Sequence, residues 1–223
     1  MSTPTLHINR PRLPDEQSLA DQAYYAIREW IVTLDLAPGS VVNERELMGR
    51  LGLGRTPVRE ALRDLAREQL VDVFPRRGMF VSGVDVGDIA GLSEVRLVLE
   101  TEAARLGAER RNETDLEETA ALLEELGRAS GAHGERRLID LDERIHRHVA
   151  RCAHNPFLEA TLEQYYVLAL RIWFLALERV ALDEAIAEHH AILEAIRDGD
   201  AVRAAQVMRT HVVTFERAIR AVL

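Results

Sequence analysis

Four residues, Asp142, His146, His189 and His211, have the types and spacing to hold a metal ion between them. Helical periodicity groups them. Ile139, Asp142, His146, Val149 and Ala153 recur at steps of three and four, an apolar helix stripe on which Asp142 and His146 sit one turn apart. Arg144, Arg147 and Arg151 fall off that stripe, on the side expected to face water. Ile186, His189, Leu193 and Ile196 form a second stripe, and Ala204, Met208, His211, Phe215 and Ile219 a third. His190 has Glu194 and Arg197 as helical neighbours and is expected to point outward. A lone histidine on such a stripe is ordinarily a core residue with a partner of its own. Three histidines and a carboxylate, all mid-stripe, need many buried partners at once. Either each finds one in the core, or a divalent cation satisfies all four. Neutral imidazoles with a carboxylate suit zinc, and also nickel, manganese or iron.

A divalent metal with one carboxylate and three neutral imidazoles leaves a charge near +1, which invites an anion. Arg96 belongs to the same argument. Leu92, Arg96, Leu99, Ala103 and Leu106 make an apolar stripe, and an arginine facing inward there needs an acidic partner. Two readings stand: an internal salt bridge, with Glu100 or Glu163, or a bidentate clamp on the carboxylate of a small effector. Arg171, between Val167 and Phe174, is a second effector-binding candidate.

A different set of arginines suits DNA. The chain carries 28 Lys+Arg, all of them arginine, against 37 Asp+Glu, for a net charge of −9 over 223 residues. The acidity is confined to residues 85–223; residues 1–84 balance, and within them residues 45–77 hold an arginine-rich cluster. Arg55, Thr56 and Arg59 lie at the start of an expected helix, where free N–H groups attract phosphate and arginine can reach guanine O6 and N7. Arg45 precedes them on another short helix, and Arg77 with Gly78 sits at the tip of an expected hairpin.

The elements that must position these residues are legible as follows. Residues 1–16, with Pro4, Pro11 and Pro14, read as an arm. Residues 17–84 read as a winged helix-turn-helix: a helix from about Ser18 to Leu34, a short strand at Val41-Val42, a helix capped by Asn43 with Glu46 in a capping box, a third helix capped by Thr56 with Pro57 in its first turn, and a hairpin wing around Pro75-Arg76-Arg77-Gly78. Residues 85–223 read as an antiparallel bundle of about six helices, with breaks at Asn112, Gly131 with Gly134, Asn155-Pro156 and Gly199. The fold class is therefore mainly α. One cysteine, Cys152, permits no internal disulfide, the start of the chain has no apolar signal segment, and Val167–Leu177 is too short to span a bilayer. A cytoplasmic protein with no membrane partner is expected.

Leu36-Ala37-Pro38-Gly39, Glu44-Arg45-Glu46-Leu47, the run from Leu51-Gly52-Leu53-Gly54-Arg55-Thr56-Pro57 through Val58-Arg59-Glu60-Ala61-Leu62, and Pro75-Arg76-Arg77-Gly78 closely resemble the DNA-binding domain of the GntR superfamily of bacterial transcription regulators. The resemblance continues through the second half, which looks like the FadR branch with an FCD-type effector domain. It implies that Arg45, Arg55, Thr56, Arg59 and Gly78 match positions that touch operator DNA. It also implies a metal site, because Asp142-x-x-Ile145-His146, Glu188-His189-x-x-Ile192 and Met208-x-x-His211 are similar to the FCD pattern; Ile145 stands where an aromatic is usual. Arg96 matches the arginine of the R-x-x-L/V-E signature.

An enzyme is the rival class. Glu143-x-x-His146 has no second copy to make a di-iron site, and stripe analysis pairs no inward glutamate with the candidate ligands as a general base. The expectation is thus a non-enzymatic homodimeric regulator, a repressor by family habit, that binds a palindromic double-stranded operator and answers to a small carboxylic acid at a metal. A helical-bundle metalloenzyme or a structural-metal protein is the alternative.

Overall fold

A computed structural model describes residues 18–129, 135–176 and 183–222 of the chain. The expected arm and the break at Gly131 and Gly134 lie outside the described residues. Two compact units divide between Val84 and Asp85.

The first unit opens with α1 (Leu19–Val32), started by Ser18 and Asp21 in a reciprocal capping box. It ends two residues before the expected Leu34, whose φ of 67° is left-handed. Ala23, Ile27 and Ile31 face the core. Helix α2 (Glu44–Leu51) has the expected N-cap, Asn43, whose Oδ1 accepts from the N–H groups of Arg45 at 3.1 Å and Glu46 at 3.3 Å, but the cap is one-sided rather than the expected capping box. Gly52 stops it at φ 65°. Helix α3 (Arg55–Arg67) starts earlier than expected. Gly54 is the N-cap residue, with no side-chain cap, so Thr56 stands inside the first turn rather than capping it. Pro57 remains acceptable there because first-turn N–H groups have no intrahelical partner. Val58, Ala61, Leu62 and Leu65 are buried, as their spacing requires.

Strands β1 (Val71–Phe74) and β2 (Gly78–Val81) pair antiparallel, Val71 opposite Val81 and Phe74 opposite Gly78. The expected strand at Val41-Val42 reduces to one bridge, Val41 to Phe80. At the tip, the Arg77 N–H donates to the Phe74 carbonyl at 3.1 Å. Pro75 followed by Arg76 at φ 65° has the pattern of a type II turn.

The second unit is helical throughout its described residues: α4 (Val86–Arg110), α5 (Glu113–Ala129), α6 (Glu135–Cys152), α7 (Pro156–Ala176), α8 (Asp183–Asp198) and α9 (Ala201–Arg220). Helix α5 begins two residues before its expected start because Asn112 and Asp115 cap reciprocally, each side chain accepting the other's N–H at 2.9–3.0 Å. Asp85 and Asp200 cap α4 and α9. Leu122, Leu126, Ile145, Ile192, Leu193 and Met208 belong to one buried cluster. Helix α4 approaches α6 closely at Gly107, where a Cβ would lie 3.1 Å from that of Cys152. Two turns earlier on α4, Glu100 reaches His146 of the same helix α6. No helix among the described residues is long and apolar enough to cross a membrane.

Asn43→Ala should cost the first unit about 1 kcal/mol through loss of the α2 cap. Urea unfolding read by Trp30, which lies 3.7 Å beneath the Arg50 guanidinium carbon, checks this in a Trp173→Phe background.

Candidate metal centre and nucleic-acid interface

The bundle brings all four candidate ligands together. Asp142 and His146 come from α6, His189 from α8 and His211 from α9; all are buried, and one donor atom from each lies within 4.8 Å of the others. His146 Nε2 is 3.1 Å from His211 Nε2 and 3.3 Å from His189 Nε2. The opposite nitrogens determine what these contacts are. His146 Nδ1 stands 2.9 Å from Glu100 Oε2, and His211 Nδ1 stands 2.9 Å from Glu188 Oε2. A carboxylate only accepts, so the proton of the His211–Glu188 bond sits on His211 Nδ1, and the Glu100 carboxylate favours the same placement on His146 Nδ1; both rings turn Nε2 inward. Burial, aided by the neighbouring His189 and His146, pushes the His211 imidazole down to about 4, which keeps that ring neutral near pH 7. The two facing Nε2 atoms lie at hydrogen-bond distance, a contact that either a proton or a shared metal cation between them satisfies.

The fourth donor fits the same cation. Tyr166 on α7 donates its hydroxyl to Asp142 Oδ2, leaving Oδ1 turned toward the imidazoles, 3.1 Å from His189 Nε2 and 3.8 Å from His146 Nε2. Burial opposes ionisation of Asp142, but positive charge among His146, His189 and His211, whether protons or a shared cation, outweighs it and holds the carboxyl well below the usual range. A buried anionic oxygen and converging imidazoles are the donor set of a nitrogen- and oxygen-ligated divalent ion. A cavity of about 20 Å³, room for a water molecule, reaches Asp142 and His189 between Leu141, Trp173 and Ile186.

Three residues that complete this arrangement, Glu100, Tyr166 and Glu188, escaped the stripe analysis. The expectation that no inward glutamate pairs with the ligands is wrong. Glu100 reaches His146 from α4, and Glu188 reaches His211 from the residue beside His189. Such partners fix the tautomer and orientation of a ligating imidazole. Arg147 corrects a second expectation. It lies mostly buried between Glu143 at 2.5 Å and Glu163 at 2.8 Å, not on the wet side. His190 is exposed as expected.

Arg96 is buried, and of its two readings the salt bridge is present: Nε donates to Glu100 Oε1 at 2.5 Å. That contact leaves the guanidinium only partly used, because Nη1 is buried without a hydrogen-bond partner. The guanidinium carbon lies 4.9 Å from the Phe215 ring centre, and Phe215 packs in turn on Trp173. Arg171 on α7 is also buried.

In the first unit, Arg55 and Thr56 are exposed at the start of α3, where no side chain occupies the first-turn N–H groups. Arg59, one turn on, donates its Nε to both Glu44 carboxylate oxygens at 3.0 Å, an ion pair that leaves the side chain half exposed. Arg45 is exposed on α2. Arg77 is exposed on the wing with its guanidinium 5.6 Å from the Phe74 ring. Gly78 has φ 98°, a conformation that excludes most side chains although the space around it is open. Arg59 and Gly78 line one cleft of about 610 Å³, which also takes in Asn43, Glu44 and Arg76.

Residues 19–81 match the model of the gntR family of bacterial regulatory proteins, and residues 91–214 match that of the FCD domain. The chain belongs to the GntR family. It is 34% identical over 194 residues to an uncharacterized HTH-type transcriptional regulator in an unstable DNA locus of Streptomyces ambofaciens, covering 84% of this chain and 79% of that one. It is 27% identical over 212 residues to the HTH-type transcriptional repressor RspR of Escherichia coli K12, covering 94% and 92%. The fold is that of E. coli McbR/YncC, with a TM-score of 0.75 at 23% identity over 90% of this chain and 98% of that one. This GntR-family chain is a transcriptional regulator with an FCD domain, not an enzyme.

Two outcomes follow for the centre. Glu188→Gln should weaken zinc binding roughly 10- to 100-fold by loosening His211, read by competition with a chromophoric chelator. The chelator-treated protein should also lose stability as pH falls from about 6.5 toward 4. The unfolded chain protonates its imidazole at the ordinary 6.5 while buried His211 resists to about 4, so the unfolded state binds more protons across that window. Thermal melts across the window check this, and His211→Asn should flatten the decline.

Proposed function

We propose that the chain is a cytoplasmic, homodimeric repressor of the FadR branch that binds a palindromic double-stranded operator. A small carboxylic acid acting at a divalent metal in the FCD domain controls it. Arg45, Arg55, Thr56 and Arg59 read or flank the major groove, and Arg77 with Gly78 brings the wing to the backbone or minor groove. A two-fold dimer presents two such heads to a two-fold site. Repression is the reading suggested by the name of the RspR relative.

Asp142, His146, His189 and His211 hold the metal, with zinc the first choice and nickel, manganese or iron the others. The metal supplies positive charge and a coordination position for a carboxylate oxygen. Arg96 receives the effector's carboxylate, with Arg171 as the second effector-binding residue. The observation that carries this reading is a buried arginine with an unused Nη1 that shares Glu100 with a candidate metal ligand. An effector with unequal affinity for two states of the dimer changes operator affinity by that difference.

A duplex enriched by the wild-type protein from a random-sequence pool supplies the test. Arg59→Ala should reduce binding of that duplex to the level of random DNA. His189→Ala should bind the duplex as wild type does and lose the response to any small carboxylate that shifts wild-type affinity. A His189→Ala protein that keeps both metal and acid response would sink the site assignment. A chelator that unfolds the protein, with no carboxylate shifting its melting temperature, would favour a purely structural metal.

A further inference from the structure

Three buried groups on two helices form a continuous chain. Arg96 Nε holds Glu100 Oε1 at 2.5 Å, and Glu100 Oε2 meets His146 Nδ1 at 2.9 Å. All three side chains are at most 6% exposed, so solvent screens the contacts little. Glu100 therefore divides its charge between a cation on its own helix and a candidate metal ligand on α6. Arg96 keeps Nη1 without a partner, so an incoming carboxylate can engage it there and then compete with Glu100 for the guanidinium.

We infer that Glu100 is an internal stand-in for the effector carboxylate: it occupies Arg96 in the free protein, and an incoming carboxylate that takes Arg96 releases Glu100 to hold His146 more strongly on the metal. The inference rests on the metal and effector reading above. It gives that reading a direction. Metal and carboxylate bind cooperatively, because the acid removes a cation's claim on the residue that polarises His146 and adds negative charge beside a cationic site. By linkage, the metal must strengthen acid binding by the same factor. Glu100 and Arg96 are thus positioning residues that act through His146, and Arg96 is also the contact for the acid.

The relay makes opposite predictions for its two charged members, which a merely structural ion pair does not. Arg96→Gln mimics release of Glu100 and should tighten zinc binding to the full-length protein on the order of tenfold, since a nearby positive charge is lost. Glu100→Gln should weaken it roughly 10- to 100-fold. Arg96→Lys, which keeps the charge, should stay near wild type. Because removing one partner of a buried pair can impair folding, Glu100→Ala is assayed with acetate, the minimal carboxylate: acetate should restore its zinc affinity and raise its melting temperature, and should do neither in Glu100→Ala/Arg96→Gln. Zinc binding that weakens in both single variants, or is unchanged in both, overturns the relay, as does a Glu100→Ala protein indifferent to acetate. Wild-type protein that takes up none of zinc, nickel, manganese and iron refutes the metal reading itself and the relay with it; metal-binding wild type whose variants fail to split refutes the relay alone.

Discussion

The second unit is organised around two imidazole nitrogens, His146 Nε2 and His211 Nε2, that face each other at 3.1 Å with a carboxylate on the far side of each ring. A buried contact of this kind needs a proton or a metal cation between the two nitrogens, because the interior has no solvent to separate them. The carboxylates of Glu100 and Glu188 orient the rings, and Tyr166 fixes which oxygen of Asp142 turns inward. Each of these supports sits on a different helix. The packing of α4, α7 and α8 against α6 and α9 is therefore also the alignment of a donor set.

This explains which parts of the centre were legible in the sequence. Candidate ligands carried on amphipathic helices betray themselves by period, because a buried polar residue must share its face with Leu, Ile or Val, and Asp142, His146, His189 and His211 all do. Their supports do not obey that rule. Glu100 follows the apolar stripe of α4 by one residue beyond Leu99, and Glu188 borders the stripe of His189; each reaches inward by its length from the edge of a face. Arg147 shows the converse. Period put it on the wet side of α6, but Glu143 and Glu163 fold its guanidinium back into a mostly buried ion-pair cluster. Contacts between helices decide these cases, and one helix's period contains no information about its neighbour.

The DNA-binding unit was more fully readable because its signals are local. Caps, glycine stops and the change of period from helix to hairpin are set within a few residues, so α1, α2, α3 and the wing stand within two residues of their expected places. The one misassigned cap is instructive. Thr56 has the chemistry of an N-cap, but Gly54 already gives the chain its extended turn, and Arg55 is free to begin the helix. The hydroxyl and the first-turn N–H groups are then left outward together. What the sequence did not reveal is Glu44, whose ion pair with Arg59 joins the starts of α2 and α3 and restrains a side chain proposed to read bases. That pair spans fifteen residues, and an exposed glutamate next to Arg45 reads as ordinary helix surface.

Charge at the proposed metal centre bears on whether it is a structural site or a regulatory one. Metal and four ligands alone would carry about +1; Glu100 and Glu188 together outweigh that, and Arg96 brings the surroundings back toward neutrality. A neutral, closed centre would need nothing further. The opening is the guanidinium, which gives Nε to Glu100 and leaves Nη1 unpaired. Lysine could not do this, because one ammonium on a flexible stem cannot hold an internal carboxylate in place while presenting a second fixed donor edge to another. The chain contains no lysine at all, so composition alone cannot distinguish a selected arginine from a default one. What sets Arg96 apart is position: buried, with Nε on Glu100 and Nη1 unpaired, it is where, on the proposed reading, an entering acid would compete with the internal carboxylate as well as meet the metal.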